Sequence, residues 1–310
     1  MKKAGGRPLE GRVAVVAGGS RGAGRGIALA LGEAGATVYV AGRTVRGGPP
    51  PADGAPGTVD DTAEELSARG GVGIPVKVDF TDEPQVAALF ARVEREQGRL
   101  DVLANAVYGA GDSPLTTDEM MAAWGQPFWR QRAVWAQHIT AGPGAYYLAA
   151  VHAIPLMLKS PKRRGEARGL IAGVTDCILP VEGQDADTSA RAPEQPGNLI
   201  WGLSHRMIDS LMRAMSLELK KHDVAVATLM PGFMRTERVL RALTTEKMKK
   251  QMRFDLSEST LYIGRAVAAL AADRKVMAKS GRIHFVADLA GEYGFTDEDG
   301  KRIPRFKPFS

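Results

Sequence analysis

The sequence predicts one α/β domain, a doubly wound parallel sheet with helices on both faces. Short β-branched apolar runs alternate with longer stretches whose apolar residues recur at helical spacing, the order that βαβ units impose. A glycine-rich turn, AGGSRGAG over Ala17–Gly24, stands directly between the first such run and the first helical stretch. Residues 1–310 show no internal repeat and no inter-domain linker, and 44% hydrophobic content suffices for one large core.

Taken in order, Val13–Ala17 (VAVVA) reads as the first strand, and a helix covers Gly26–Ala34. Thr37–Ala41 is the second strand. The loop Arg46–Gly57 (RGGPPPADGAPG) is too rich in proline for a helix or a central strand. A helix over Asp60–Arg69, a strand over Ile74–Val78 and a helix over Glu83–Gln97 follow, the last with Val86, Leu89, Phe90 and Val93 on one face. Leu100–Ala104 is the fourth strand, and the tryptophan-containing stretch Tyr108–Trp135 fits no element. A long helix covers Gly144–Leu158, and Leu170–Thr175 is the fifth strand. Asp176–Gly197 is polar and loop-like. The helix 203–220 carries a broad apolar surface of Leu203, Met207, Ile208, Leu211, Met212, Met215 and Leu219, read as core plus a subunit interface. Val224–Met230 and Arg282–Ala287 complete the strands, 235–259 reads as a mobile helical flap, and 293–310 as a polar tail.

Composition narrows the function classes. The net charge of +6 comes from scattered lysines and arginines, without the basic stripe and interleaved aromatics of a nucleic-acid surface, so nucleic acid is not expected as a partner. Cys177 is the sole cysteine, which excludes an internal disulfide and a CxxC metal site; it reads as a small buried hydrophobe in a reducing compartment. The opening MKKAGGRPLEGR lacks the apolar stretch of a signal peptide, and no apolar run approaches the roughly 18 residues of a membrane span. A cytoplasmic protein with neither membrane nor metal is expected.

The glycine turn carries the clearest chemistry. Gly18, Gly22 and Gly24, with Ser20 and Ala23 between them, let the backbone turn sharply at a helix start, where free N–H groups suit a diphosphate. Its position between a strand and a helix is the context a dinucleotide site requires. An NAD site usually places a carboxylate at the end of the second strand to accept from the ribose hydroxyls. Here that strand runs into Gly42-Arg43-Thr44, and Arg43, with Arg21 in the glycine turn, suits a 2′-phosphate instead. The expected cofactor is NADP(H).

The spacing G-x-x-x-G-x-G, with Ala17 where a threonine is usual, resembles the short-chain dehydrogenase/reductase family, and the resemblance spans about residues 10–290. It implies a Rossmann-like fold. Asp79 in VKVDFTD matches the family's acidic residue at the adenine, with Phe80 beside it. LDVLANAVYG (Leu100–Gly109) resembles the segment after the fourth strand, with Asn105 kept and Ala106 in place of a second asparagine. LMPGFMRTE (Leu229–Glu237) matches the family's PG motif, placing Pro231, Gly232 and Thr236 at the nicotinamide end. The family also implies a homo-dimer or homo-tetramer.

The catalytic positions depart from that pattern. The family uses Asn, Ser and Y-x-x-x-K, where the ammonium lowers the phenol's pKa and the phenol exchanges a proton with a carbonyl or alcohol. Here the matching stretch NLIWGLSHRM places Trp201 at the tyrosine and His205 at the lysine. Thr175 and Asp176 fall at the serine positions, and Ala141 falls loosely at the asparagine. An indole N–H exchanges no proton at accessible pH, so Trp201 cannot take the phenol's role. His205 suits a ribose contact or, with Asp176, an acid–base pair, and Tyr108 is a candidate replacement phenol. Three readings follow: an NADP(H)-dependent oxidoreductase on an unidentified carbonyl or alcohol, with its proton route through Asp176, His205, Tyr108 or water; a lyase, isomerase or cyclase using Asp176 and His205; or a non-catalytic NADP(H)-binding protein.

Overall fold

The computed structural model describes residues 7–51, 54–109, 127–130, 135–162, 165–176 and 199–306. Cys177, all of the expected loop Asp176–Gly197 but its first residue, and most of the unassigned stretch after Gly109 lie outside the described residues.

The chain runs β1 (Val13–Ala17), α1 (Gly22–Glu33), β2 (Thr37–Gly42), α2 (Val59–Ala68), β3 (Val72–Lys77), α3 (Glu83–Gln97) and β4 (Val102–Asn105). A π-helical turn, Ala136–Gly144, leads into α4 (Ala145–Lys159), β5 (Gly169–Val174), α5 (Leu199–Leu219) and β6 (Val224–Met230). The short helices α6 (Glu237–Ala242) and α7 (Glu246–Gln251) precede α8 (Thr260–Ala272), β7 (Ile283–Phe285) and α9 (Val286–Tyr293). The seven strands form one sheet in the order β3-β2-β1-β4-β5-β6-β7, with every neighbouring pair parallel.

Because strand side chains alternate faces, β1 feeds two cores. Ala14 and Val16 pack with Ile27, Leu31 and Val267 on one side, and Val13, Val15 and Ala17 pack with Phe90, Ala149 and Met157 on the other. The termini of the helices are set locally. Thr58 and Asp82 accept from the amides of Asp61 and Gln85 to start α2 and α3, and Gly98 ends α3 at φ 64°. β3 begins at Val72, two residues before the expected start, and holds Pro75 inside it because β3 is the edge strand and an edge tolerates a missing N–H.

Other expectations shift by a residue or a turn, and α8 and α9 are additions. The α8 sequence TLYIGRAVAALAA is apolar almost all round, so it offers little periodic contrast. It packs close on α1: a Cβ at Gly26 would lie 1.8 Å from the Thr260 carbonyl oxygen, and one at Gly264 2.1 Å from that of Gly26. The flap 235–259 does hold two short helices, α6 and α7.

The expected polar tail is anchored. Asp297, 1% exposed, accepts from the Ser259 amide at 2.9 Å and pairs with Arg235 at 3.1 Å, and Phe306 packs on Phe233. The stripe on α5 divides: Ile208, Met212 and Leu219 are core, whereas Leu203 and Met207 stay partly exposed, as do Tyr147 and Val151 of α4.

Candidate active site

The chain leaves β1 for one side of the sheet (β2, β3) and returns to the other (β4 onward), so a crevice opens at the carboxyl ends of the strands. A cavity of about 610 Å³ lies there, lined from the turns after β1 through β6. Of the fifteen cofactor residues expected from the sequence, all but Gly24 and Asn105 line it. Gly24 lies beneath the turn, where an added Cβ would come within 2.1 Å of the Gly18 oxygen. Asn105 is fully buried, and both polar atoms of its side chain lack a hydrogen-bond partner.

The glycine turn is geometrically forced. Gly18 sits at φ 83° and Gly22 at φ 57°, where glycine carries no Cβ penalty. A Cβ at Gly18 would approach the Ala106 carbonyl oxygen to 2.8 Å, so the turn after β1 and the turn after β4 fit only with glycine here. Gly18 and Gly19 donate to Ala41 O at 2.9 Å. At α1, the side chain of the N-cap residue Arg21 does not cap the helix and the first turn has no acid, so the helix end is not capped from its own sequence. Its Gly22 N–H donates instead to the Glu237 carboxylate of α6 at 2.7 Å, with Arg25 3.6 Å from the same carboxylate.

The two candidate 2′-phosphate residues flank the adenosine end. The Arg21 guanidinium donates to Thr44 Oγ1 and to the carbonyls of Gly57 and Pro56. Arg43, 47% exposed, stands 3.8 Å from Asp79, and Asp79 also accepts from Thr81.

At the opposite end the polar groups cluster. His205 is buried with both ring nitrogens unpartnered, and Nε2 is 3.9 Å from Asp176 Oδ2, beyond hydrogen-bond reach. Burial pushes its pKa down to about 3, so the ring is neutral at physiological pH. It stacks on Tyr108 (centroids 5.2 Å apart, 24° between planes) and meets Trp201 edge-on at 5.5 Å. Asp176, Trp201, His205 and Tyr108 are thus brought to one end of the cavity, although Asp176 and His205 are not hydrogen-bonded to each other.

Sequence reasoning missed His138, Ser204, Glu237 and Glu258. The Tyr108 hydroxyl lies 2.5 Å from His138 Nδ1 and 3.4 Å from Ser204 Oγ. His138 stands in the π-helical turn, just after the unassigned stretch and before the expected helix, so no periodicity marked it. Burial, followed by His205 and Arg238, lowers it to about 4. Glu258, 1% exposed, accepts the Gly232 N–H at 2.9 Å and bonds through its own backbone to Phe233 and Arg235, fixing the PG turn after β6. Desolvation pushes its carboxyl up to about 8. Tyr146 lines the cavity too, but its hydroxyl donates to Val174 O at 3.0 Å.

The parallel sheet with a glycine turn at its switch point defines a Rossmann-type dinucleotide-binding protein. The family model for short chain dehydrogenase matches residues 12–164. Dehydrogenase/reductase SDR family member 1 of Mus musculus is 34% identical over 96% of this chain and 86% of its own length. The chain belongs to the short-chain dehydrogenase/reductase family, whose members are oxidoreductases that bind nicotinamide cofactors. Among solved structures, a short chain dehydrogenase from Mycobacterium thermoresistibile has a TM-score of 0.70 at 19% identity, covering 97% of this chain and 95% of that one. A 7α-hydroxysteroid dehydrogenase complexed with NADH and 7-oxo glycochenodeoxycholic acid has a TM-score of 0.66 at 19% identity, covering 97% and 99%. Among the described residues no helix is long and apolar enough to cross a membrane, and no group of three or more His, Cys, Asp or Glu residues forms a metal site.

Proposed function

We propose that this chain is an NADP(H)-dependent oxidoreductase that interconverts an apolar carbonyl compound and its alcohol. One observation carries the reading: a single cavity holds an anion-accepting helix start flanked by Arg21 and Arg43 at one end and a buried cluster around Tyr108 at the other. The residues fit the cofactor. Glycines stand where a Cβ would collide, α1 has no cap of its own, and His205, a residue of the cavity lining, carries two buried ring nitrogens without a hydrogen-bond partner.

Arg21 and Arg43 suit the doubly charged 2′-phosphate, and the second strand ends without the carboxylate that would prefer a free ribose hydroxyl. Ser20, Gly22 and Ala23 hold the diphosphate, with Asp79 and Phe80 at the adenine and Pro231, Gly232 and Thr236 at the nicotinamide. The NADH of the hydroxysteroid dehydrogenase and an NADPH dependent reductase of the same fold indicate that the fold accepts either dinucleotide, so charge at the second strand makes the choice here. When bound, the cofactor supplies or accepts hydride. The protein orients the substrate, excludes water and exchanges a proton at the Tyr108 hydroxyl. Apolar walls from Trp201, Phe233, Met234 and Val174 favour a hydrophobic substrate. The half-exposed apolar residues Tyr147, Val151, Leu203 and Met207 suit the face of a homo-dimer or homo-tetramer.

A second reading, a cofactor-binding protein without turnover, draws on Trp201 and His205, which provide neither a titrating phenol nor an ammonium. NADPH oxidation with a panel of aromatic aldehydes, ketones and quinones tests the proposal. Cofactor binding with no turnover across the panel would favour the second reading.

A further inference from the structure

We propose that His138 is the positioning residue of a Tyr108 general acid–base, the pair taking over the proton step that relatives assign to Y-x-x-x-K. The inference rests on the oxidoreductase reading and specifies its proton route.

Elimination leads to Tyr108. Tyr146 spends its hydroxyl on the end of β5, donating to Val174 O and accepting from Val174 N–H. Trp201 has an indole, which does not exchange protons at working pH. His205 lies 3.9 Å from Asp176, so no hydrogen bond sets its tautomer or raises its basicity. Tyr108 alone among these is a proton-exchanging group held by partners within reach, and it lines the cavity.

The surroundings of its hydroxyl have a direction. Ser204 donates its own hydrogen to Trp201 O at 2.7 Å, leaving Oγ as an acceptor. In the proposed arrangement the phenol hydrogen is therefore assigned to Ser204, at a long 3.4 Å, and the hydrogen between His138 Nδ1 and the phenol oxygen, 2.5 Å apart, to Nδ1. Donation then runs from His138 to Tyr108 to Ser204 and ends on the Trp201 carbonyl. The weak link is the one that would swing to a substrate. His205 stacks on one face of Tyr108 while His138 meets the ring edge-on at 5.0 Å and 63°, so the phenol is held on two sides.

In the reductive direction the carbonyl carbon gains hydride, two electrons and one hydrogen nucleus, from the reduced dinucleotide. The C=O π pair moves to oxygen, which takes the proton of Tyr108 as the phenol O–H bond breaks. The phenolate oxygen keeps the His138 Nδ1–H hydrogen bond and regains a proton from water. Burial pushes the Tyr108 phenol upward; a donor fixed on its oxygen counters this as charge develops.

The test compares Tyr108→Phe, His138→Phe and His138→Asn with the unaltered protein. Asparagine keeps an N–H donor near the Nδ1 position, whereas phenylalanine keeps the edge contact alone. With NADPH and phenanthrenequinone, Tyr108→Phe and His138→Phe should each lose about 10²-fold in kcat. NADPH affinity should not change, KM should change little, and His138→Asn should recover part of the loss. Nitrogen NMR of ring-labelled histidine reads the unliganded protein: His138 should carry its proton on Nδ1, with a resonance that moves in Tyr108→Phe.

Full turnover in His138→Phe, or a His138 ring with a bare Nδ1, would overturn the inference while leaving the cofactor reading standing. If the unaltered protein does not reduce the quinone, the NMR result decides by itself. Failure of NADPH to bind even the unaltered protein would instead sink the oxidoreductase reading.

Discussion

The amide of Gly22 at the start of α1 is occupied by the carboxylate of Glu237, 2.7 Å away and 215 positions later in the chain. A dinucleotide diphosphate needs the same N–H, and two anions do not share one donor at a helix start. On the proposed cofactor placement Glu237 must therefore leave before the dinucleotide seats, and Arg25, 3.6 Å away, is at hand to hold its carboxylate.

Removing that competitor should tighten cofactor binding. A charge-assisted hydrogen bond is worth roughly 1.5–3 kcal/mol at most, and partial exposure to water reduces its share. We expect Glu237→Ala to bind NADPH about three- to ten-fold more tightly by calorimetry, with Glu237→Gln between it and the native chain. Weaker binding in Glu237→Ala would show that the carboxylate assists the cofactor rather than competing with it.

Asp176 and His205 face each other without a hydrogen bond. If the proton passes through Tyr108, Asp176→Asn should leave NADPH affinity unchanged and turnover within about three-fold, well short of the 10²–10⁴-fold typical of losing a general acid or base. A hundred-fold loss would restore the Asp176–His205 pair as the acid–base machinery and, with it, the lyase or isomerase alternative.

Buried titratable groups set opposing limits on stability. His138 and His205 fall from 6.5 to about 4 and about 3 in the folded chain. Over that range the unfolded chain binds more protons, and stability falls as pH drops below 6.5. Glu258 rises from 4.5 to about 8, so the folded chain holds a proton that the unfolded chain has lost, and stability falls as pH rises between those values. Above pH 6.5 Glu258 acts without the histidines, at up to about 1.4 kcal/mol per pH unit. Urea denaturation should show this decline from pH 6.5 to 8, and Glu258→Gln should flatten it. An unchanged slope in Glu258→Gln would assign the decline to other groups.

The legible part of this molecule was the part governed by short-range rules. β1, α3 and β6 were bounded to the residue, because each is a clean apolar period flanked by turn or cap residues. The glycine turn was legible for the same reason: Gly18, Gly22 and Gly24 lie within one turn, and Arg43 follows its strand directly. At the opposite end of the cavity Tyr108 stood out as a candidate phenol, but its partners His138 and Ser204 did not. Tyr108, His138 and Ser204 come from three segments up to 96 positions apart, and His138 sits in a π-helical turn without a periodic signature. Glu258 and Asp297 lay unmarked in the expected flap and polar tail, since only the docking of the tail buries Asp297 against Ser259 and Arg235. The extent of α8 was hidden by its uniform apolarity.

The account stands most directly on calorimetric titration of the native chain and of Arg43→Ala with NADPH and NADH at one ionic strength. It predicts that the native chain binds NADPH at least about ten-fold more tightly than NADH, a difference of roughly 1.4 kcal/mol, and that Arg43→Ala loses most of that preference while still binding NADH. Equal affinity for the two dinucleotides in the native chain, or an undiminished preference in Arg43→Ala, would contradict it.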